Sequence, residues 1–162
     1  MINISKLADY STVVMAYLAR TGTAQNARDI AHATHIALPT VSKILKVLAR
    51  AELLISQRGA KGGYDLARPA EQISLADIIN ALDGGIGLTE CSKAAGLCAV
   101  EQACGIRHSW RNIGLIVREL LEQVTLAEML HPKAIKALEP KIIKLQHIKI
   151  VRKSANHVAE MK

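Results

Sequence analysis

The stretch Pro39-Thr-Val-Ser-Lys-Ile-Leu-Lys-Val-Leu-Ala-Arg50 has the pattern of an amphipathic helix. Proline suits the first position of a helix, because its φ is preorganised and its missing N–H is not needed there, so the helix is predicted to begin at Pro39. Four apolar residues recur at helical spacing and predict a buried face: Val41, Ile44, Leu45 and Leu48. Four polar or basic residues are predicted to point outward: Thr40, Ser42, Lys43 and Lys46.

Two helices are predicted before this stretch. Apolar residues at helical spacing predict a first helix from about Ser5 to Arg20. Asn26, with Asp29 three positions later, resembles a capping box in which Asp replaces the usual Glu or Gln, and it predicts a short helix to about Ala33. A short helix, a tight turn and a second helix with a polar outer face form a helix-turn-helix, whose second helix can lie in a DNA major groove. An ordinary helical hairpin with solvated lysines is the alternative.

A β-hairpin is predicted directly after the helix-turn-helix. Leu53–Gln57 and Tyr64–Ala67 have strand patterns, and the glycine-rich turn 58–63 joins them. Glycines allow the backbone to approach a phosphate, and Arg58 and Lys61 can neutralise it or enter the minor groove. The turn lacks the Gly-Lys-Ser/Thr ending of a nucleotide-binding loop. A helix-turn-helix with a basic hairpin is a winged helix, and it predicts binding to double-stranded DNA.

The composition fits this interpretation. The 162 residues carry a formal net charge of +7 and are half apolar, with one Trp and no Phe, so a core of aliphatic side chains between packed helices is expected. The positive charge suits an anionic partner, although a solvated surface would give the same total. No apolar run reaches the roughly 18 to 20 residues of a membrane span, and residues 1–20 lack a signal-peptide pattern. A cytoplasmic protein without a membrane partner is predicted.

Three cysteines lie in a segment without regular periodicity. A capped helix predicted to start at Ser74 ends at Gly84, and no helical or strand period is visible from there to about Ser109. An odd number of cysteines argues against internal disulfides, and thiolates suit iron–sulfur clusters and zinc. The gaps of six and five residues differ from the closely paired cysteines of most zinc sites. Three incidental thiols are the alternative to a metal site formed by Cys91, Cys98 and Cys104.

A last strong helix is predicted from about Trp110 to Gln123, followed by a short one capped at Thr125. Its apolar residues share one face: Ile113, Ile116, Leu120, Leu121 and Val124. Such a stripe is most simply buried against a second copy of the chain, and packing on its own domain is the alternative. A symmetric homodimer would match a palindromic operator by presenting two recognition helices about one DNA turn apart.

The chain is therefore predicted to be mainly α-helical, with four parts. Residues 1–83 form a winged helix-turn-helix, 84–109 a cysteine loop and 110–130 a dimerisation helix. Residues 131–162 form a basic tail, in which Pro132 follows His131. An Ile-rich segment of this tail carries Lys141, Lys144, Lys149, Arg152 and Lys153. The tail is interpreted as solvated or partly disordered, with additional nonspecific DNA affinity as the alternative.

Together, the segment 41–50, the wing 58–64 and the spacing Cys91-x6-Cys98-x5-Cys104 resemble the Rrf-type winged-helix iron–sulfur transcriptional regulators. The resemblance covers roughly residues 1–130, includes IscR-like and NsrR-like members, and is strongest to the regulator of the SUF cluster-assembly operon. It implies that the recognition helix and wing contact DNA and that the protein is a homodimer. It also implies that a cluster on the three cysteines tunes operator affinity, with 2Fe–2S favoured over 4Fe–4S.

The resemblance leaves the fourth cluster ligand open. IscR-like members use a histidine three residues after the last cysteine, but this chain has Arg107 there, which stays protonated and is unsuited to binding iron. His108 follows directly and is slightly favoured as the ligand. NsrR-like members use a carboxylate from the first helix of the other subunit, and Asp9 occupies the matching position.

Three classes of function follow. The leading one is a cluster-sensing transcriptional regulator, a repressor of SUF-type genes. The second is a redox or cluster-carrier protein, which would need neither a basic wing nor a recognition helix. The third is a winged-helix regulator whose thiols bind zinc or form a redox-switched disulfide. No Ser/His/Asp arrangement, carboxylate pair or nucleotide loop supports catalysis or a small-molecule substrate, so an enzyme is not expected.

Overall fold

The computed structural model of the chain describes residues 4–57, 59 and 62–131. Within these residues the order is three helices, a two-stranded hairpin, a short 3-10 helix over Ala70–Gln72 and four further helices. Their bounds are α1 Lys6–Thr21, α2 Ala27–Thr34, α3 Leu38–Arg50, β1 Leu54–Gln57, β2 Gly63–Leu66, α4 Leu75–Asp83, α5 Glu90–Lys93, α6 Arg107–Gln123 and α7 Leu126–Leu130. The predicted mainly helical winged-helix fold is confirmed.

The helix-turn-helix is formed by α2 and α3. Asn26 caps α2 by accepting hydrogen bonds from the backbone N–H groups of Arg28 and Asp29, both at 3.0 Å. Asp29 accepts a hydrogen bond from the side-chain amide of Asn26 at 2.6 Å, so Asp29 bonds the side chain of the capping residue. Helix α3 begins at Leu38, one residue before the predicted start, because Val41 N–H already bonds the carbonyl of Ala37 at 3.1 Å.

The core lies between α1, α2, α3 and α4. The predicted inner face of α3 is fully buried, and it packs against α1 side chains such as Val14, Met15 and Leu18. Ile78 of α4 and Leu126 of α7 complete this cluster. Burying aliphatic side chains of this size stabilises the fold by about 1.5–3 kcal/mol each, so this face fixes the orientation of α3.

The wing is an antiparallel pair in which Leu54 opposes Leu66 and Gln57 opposes Gly63. A second contact anchors β2 near the turn, since the backbone of Gln25 exchanges two hydrogen bonds with Tyr64, at 2.8 and 3.0 Å. A Cβ atom at Gly63 would lie 2.6 Å from the carbonyl atoms of Gln25, so the close approach requires glycine there. The segment before α2 thereby holds the wing beside the helix-turn-helix.

Two capped helix starts join the end of α6 to the core. Ser74 and Asp77 form a capping box on α4, and Thr125 and Glu128 form another on α7, as predicted. These starts lie side by side as an antiparallel bridge, in which Leu75 N–H donates to the carbonyl of Val124 and Leu126 N–H to that of Ile73, both at 2.8 Å. The C-terminal end of α6 is therefore fixed on the winged helix.

The segment predicted to be irregular contains more helix than expected. Four of its residues form α5, a single turn too short to produce visible periodicity. Helix α6 begins at Arg107, three residues before the predicted start, and His108 lies in its first turn. No helix in the described part of the chain is long and apolar enough to cross a membrane.

Candidate DNA-binding surface and cysteine loop

The outer face of α3 is polar and basic, as predicted. Lys43 and Lys46 are exposed, and Thr40 and Ser42 are partly exposed. Arg50, which was not among the predicted residues, is also exposed and lies on the side of α3 that carries Lys43 and Lys46. Lys43, Lys46 and Arg50 are separated by three and then four residues, so helical spacing in the sequence was sufficient to identify Arg50. Helix α3 thus presents three cations in a row.

The predicted cations of the wing tip, Arg58 and Lys61, lie outside the described residues, as do residues 132–162 of the predicted tail. The hairpin strands that lead to the tip are described, and the turn between them contains a hydrogen bond from Gly62 N–H to the carbonyl of Gly59 at 2.9 Å.

The three cysteines are free thiols in different environments. Cys91 lies in α5 and is buried, with 7% of its surface exposed, and its Sγ atom is 3.2 Å from the hydroxyl of Thr89. Cys98 and Cys104 are partly exposed. Cys98 opens onto a surface cleft of about 500 Å³, lined by Gly96, Cys98, Ala99, Glu101, Gln102 and Arg107.

An ion pair that the sequence analysis did not identify connects this loop to α6. Glu101, only 8% exposed, accepts a hydrogen bond from Gly96 N–H at 2.6 Å and pairs with the guanidinium of Arg111. Arg111 also donates from Nε to the carbonyl of Cys91 at 3.1 Å. The partners are ten residues apart across a segment without periodicity, so no local pattern signals the pair.

Close packing adds to these polar contacts. Gly114 is the buried residue of α6, and a Cβ atom there would lie 2.8 Å from the Cβ atom of Ser92 in α5. Glycine at this position lets the two helices approach each other. The cysteine loop therefore rests directly on α6.

The predicted ligands do not converge in this arrangement. Among the described residues, no three His, Cys, Asp or Glu side chains are close enough together to hold one metal ion. Three thiols are a suitable donor set for an iron–sulfur cluster or zinc, but the described placement of Cys91, Cys98 and Cys104 does not gather them around one centre.

The two candidates for a fourth ligand lie in different places. His108 is exposed in the first turn of α6, and its Nε2 atom accepts a hydrogen bond from Nε of Arg107 at 3.3 Å. Asp9 is exposed on α1 and lines a separate cleft of about 560 Å³ with Ile4, Lys6, Thr12, Leu75, Ile79 and Met129. Asp9 was predicted to act as a cluster ligand for the loop of the partner subunit, and it lies outside the cleft beside Cys98 in its own chain.

An apolar stripe on α6 is uncovered in the single chain. Ile113, Ile116 and Leu120 are 42%, 51% and 40% exposed, while Leu121 and Val124, predicted on the same face, are partly buried. Monomeric proteins seldom expose contiguous apolar surface of this kind without a binding role. The stripe is therefore a candidate protein interface.

A helix-turn-helix with an exposed basic helix, followed by an antiparallel wing, defines a winged-helix DNA-binding protein. The chain belongs to the Rrf2 family, described as iron-dependent transcriptional regulators, whose profile matches residues 4–132. The predicted Rrf-type resemblance is thereby confirmed.

Individual relatives agree with this assignment. The chain is 26% identical over 132 residues to the HTH-type transcriptional regulator NsrR of Oceanobacillus iheyensis, which covers 80% of this chain and 90% of the relative. It is similar to the structure of CymR, the global cysteine regulator of B. subtilis, with a TM-score of 0.63, 26% identity and coverage of 80% and 97%. It is also similar to T. potens IscR, with a TM-score of 0.60, 28% identity and coverage of 82% and 88%.

The family assignment gives the general function. The chain is a DNA-binding transcriptional regulator, and its relatives are named as regulators rather than enzymes, in agreement with the prediction that it is not an enzyme.

Proposed function

We propose that the chain is a homodimeric repressor whose operator affinity is tuned by an iron–sulfur cluster on Cys91, Cys98 and Cys104. The observation that carries this proposal is the contact between a loop with three free thiols and the helix with the uncovered apolar stripe. The family description as iron-dependent regulators supports the choice of iron. The proposed division of the chain is 1–83 for DNA, 84–109 for the cluster, 110–130 for dimerisation and 131–162 for a basic tail.

The homodimer would form through the α6 stripe. Two copies of the same apolar face can pack around a twofold axis, since an isologous interface uses one surface on both subunits. The pair of α3 helices would then read half-sites about 34–36 Å apart on a palindromic duplex. The three exposed cations of α3, together with Arg58 and Lys61 of the wing, would neutralise phosphates and fix the register.

The cluster proposal depends on the chemistry of the donors. An iron–sulfur cluster is held by cysteine thiolates, and its presence or loss changes the charge and shape of the loop. We favour the 2Fe–2S type, with 4Fe–4S as the alternative, and genes of SUF-type cluster assembly as the targets. Because the described thiols do not surround one centre, cluster binding would require the loop to draw Cys98 and Cys104 toward Cys91.

The test is anaerobic purification of the full chain, followed by measurement of iron, acid-labile sulfide, zinc and the visible spectrum. Iron and sulfide are expected, and each of the variants Cys91→Ala, Cys98→Ala and Cys104→Ala should lose most of both. Ser109→Ala, at an exposed position beside the loop, is the matched control and should retain them. Iron and sulfide contents that are unchanged in all three cysteine variants would contradict the proposal.

DNA binding is measured on the same preparations. Duplexes selected from a random-sequence pool serve as the probe, and fluorescence anisotropy compares the protein before and after chelation of its iron. A change in affinity is expected in the wild type and not in the cysteine variants. An affinity that is independent of iron content would contradict the regulatory role.

The fourth ligand is tested by His108→Ala and Asp9→Ala, measured separately for spectrum and cluster lifetime. We favour His108 because it follows the last cysteine closely and its exposed side chain can rotate toward the loop. A normal cluster in the His108 variant with a labile one in the Asp9 variant would instead assign the ligand to Asp9 of the partner subunit.

A thiol-switched or zinc-binding regulator is the second candidate. The observation that favours a thiol switch is that Cys98 and Cys104 are free and partly exposed, so both thiols are accessible to an oxidant. Stoichiometric zinc without sulfide, or DNA affinity that responds to oxidation in iron-free protein, would favour this candidate over the cluster.

A further inference from the structure

The cysteine loop contributes little to the hydrophobic core of the protein. The core cluster is built from α1 to α4, β1, Leu126 and their neighbours, and no residue between 84 and 124 belongs to it. The position of the loop therefore depends on its contacts with α6. Two of these are side-chain contacts of Arg111, one to Glu101 and one to the carbonyl of Cys91.

Glu101 lies midway between the last two cysteines and joins two parts of the loop. One carboxylate oxygen accepts the N–H of Gly96, two residues before Cys98, and the other pairs with Arg111. Arg111 in turn holds the backbone of Cys91. The ion pair thus links the backbone of Cys91 and the segment before Cys98 to each other and to α6.

The burial of this pair indicates a role in geometry. The Glu101 side chain is 10% exposed and that of Arg111 is 34% exposed. The free-energy cost of removing two charges from water largely offsets their attraction, so a buried ion pair is weak evidence for stability. Removing one partner is nevertheless unfavourable, because it leaves the other charge unpaired. The directional hydrogen bonds of the pair specify where each backbone segment lies.

We propose that Glu101 and Arg111 are positioning residues that hold the backbone of Cys91 and the segment before Cys98 on α6. The inference rests on the proposed function only for the identity of the ligand that the thiols receive. In this view Arg111 keeps Cys91 buried against α6, and Glu101 keeps the segment before Cys98 folded back toward α6. Loss of either side chain releases Cys91 to solvent and alters the placement of its thiol.

The first experiment measures thiol exposure in the full-length, metal-free protein under anaerobic conditions. Pulses of N-ethylmaleimide followed by peptide mass spectrometry give a separate modification rate for each cysteine. Cys91 should be the slowest in the wild type. Glu101→Gln and Arg111→Met should each accelerate its modification by about tenfold or more relative to Cys104, because each removes a charged hydrogen-bond partner from a buried site.

Three controls separate positioning from general destabilisation. Arg118→Met removes an exposed ion pair with Glu122 two turns further along α6 and should leave Cys91 unchanged within about twofold. Ile44→Val loosens the distant core and should not accelerate Cys91 selectively. Arg111→Lys keeps a cation for Glu101 but cannot reproduce the two-sided contact, so it should restore part of the wild-type protection.

The second experiment measures how the variants affect iron binding by the cysteines. Wild type and variants are reconstituted with iron and sulfide, and the visible spectrum and the rate of iron loss to a chelator are recorded. Arg111→Met and Glu101→Gln should shift the spectrum and accelerate iron loss by about tenfold, whereas Arg118→Met should match the wild type.

The outcomes are distinguishable. Equal Cys91 rates in wild type, Glu101→Gln and Arg111→Met would overturn the positioning role, as would wild-type spectra and chelator rates in both variants. Selective exposure of Cys91 in a protein that binds no iron and sulfide at all would support the positioning role and refute the proposed cluster function.

Discussion

Replacing Gly63 by alanine tests how the wing is attached to the helix-turn-helix. Glycine inside a strand is usually destabilising by about 0.5–1 kcal/mol relative to alanine, so the substitution should stabilise the hairpin if nothing lay nearby. In this structure a Cβ atom at position 63 would lie 2.6 Å from backbone atoms of Gln25, which cannot move aside as the end of a side chain could. The expected sign of the effect is therefore reversed.

The magnitude follows from the contacts that must separate. Two backbone hydrogen bonds join Gln25 and Tyr64, and each contributes about 1 kcal/mol net. Displacement of packed backbone adds about 1–3 kcal/mol. Gly63→Ala should thus lower the free energy of unfolding by about 3 kcal/mol, which is a large part of the roughly 5–15 kcal/mol typical of small domains.

The assay is urea denaturation followed by circular dichroism, with Gly105→Ala as the matched control. At position 105 an added Cβ atom would meet no heavy atom within 4 Å and the φ angle is not positive, so the substitution should change stability by less than about 0.5 kcal/mol. A Gly63→Ala variant as stable as the wild type, or more stable, would refute the argument that Gln25 holds β2 of the wing by close backbone contact.

Three further predictions concern the core, the DNA surface and the dimer. Leu45→Ala should lower the free energy of unfolding by about 2–5 kcal/mol in the same assay, because the side chain is fully buried; a loss below about 1 kcal/mol would contradict its place in the core. Lys43→Ala with Lys46→Ala should weaken DNA binding and reduce the slope of log affinity against log salt by about one per lost phosphate contact; an unchanged slope would exclude α3 from the interface. Ile116→Asp should convert a dimer to a monomer in sedimentation velocity, whereas Arg118→Met on the opposite side of α6 should leave the dimer unchanged; a persistent dimer in Ile116→Asp would exclude the stripe from the interface.

The elements that sequence patterns predicted well are those specified by neighbouring residues. The inner face of α3 and the capping boxes at Ser74 and Thr125 depend on spacings of three or four residues, which are visible in the chain. Boundaries moved by one to three residues, most at α6, where the three residues before Trp110 carry polar and basic side chains that continue the helix without extending its apolar period. The wing was predictable because turn glycines separate two short strand patterns.

The features that sequence patterns missed depend on contacts across the loop. Helix α5 is one turn long, and its position follows from packing on Gly114 rather than from its own pattern. The pairing of Glu101 with Arg111 requires the chain to fold back over α6 before the two charges meet. The cysteine spacing indicated a common ligand, but spacing alone does not specify the distance between thiols in a given state of the loop, and the described arrangement does not bring all three thiols to one centre.

Helix α6 links the two parts of the proposed mechanism through its geometry. Successive residues of an α-helix are about 100° apart around the axis, so Arg111 and Gly114 share one side, and Ile113 and Ile116 lie about 200° further round on the opposite side. The first side holds the cysteine loop, and the second carries the uncovered stripe. Because the helix is rigid and its C-terminal end is fixed to the core, a rearrangement of the loop that tilts or rotates α6 must also move the stripe. In the proposed homodimer, a ligand on the cysteines would therefore alter the spacing of the two subunits through α6.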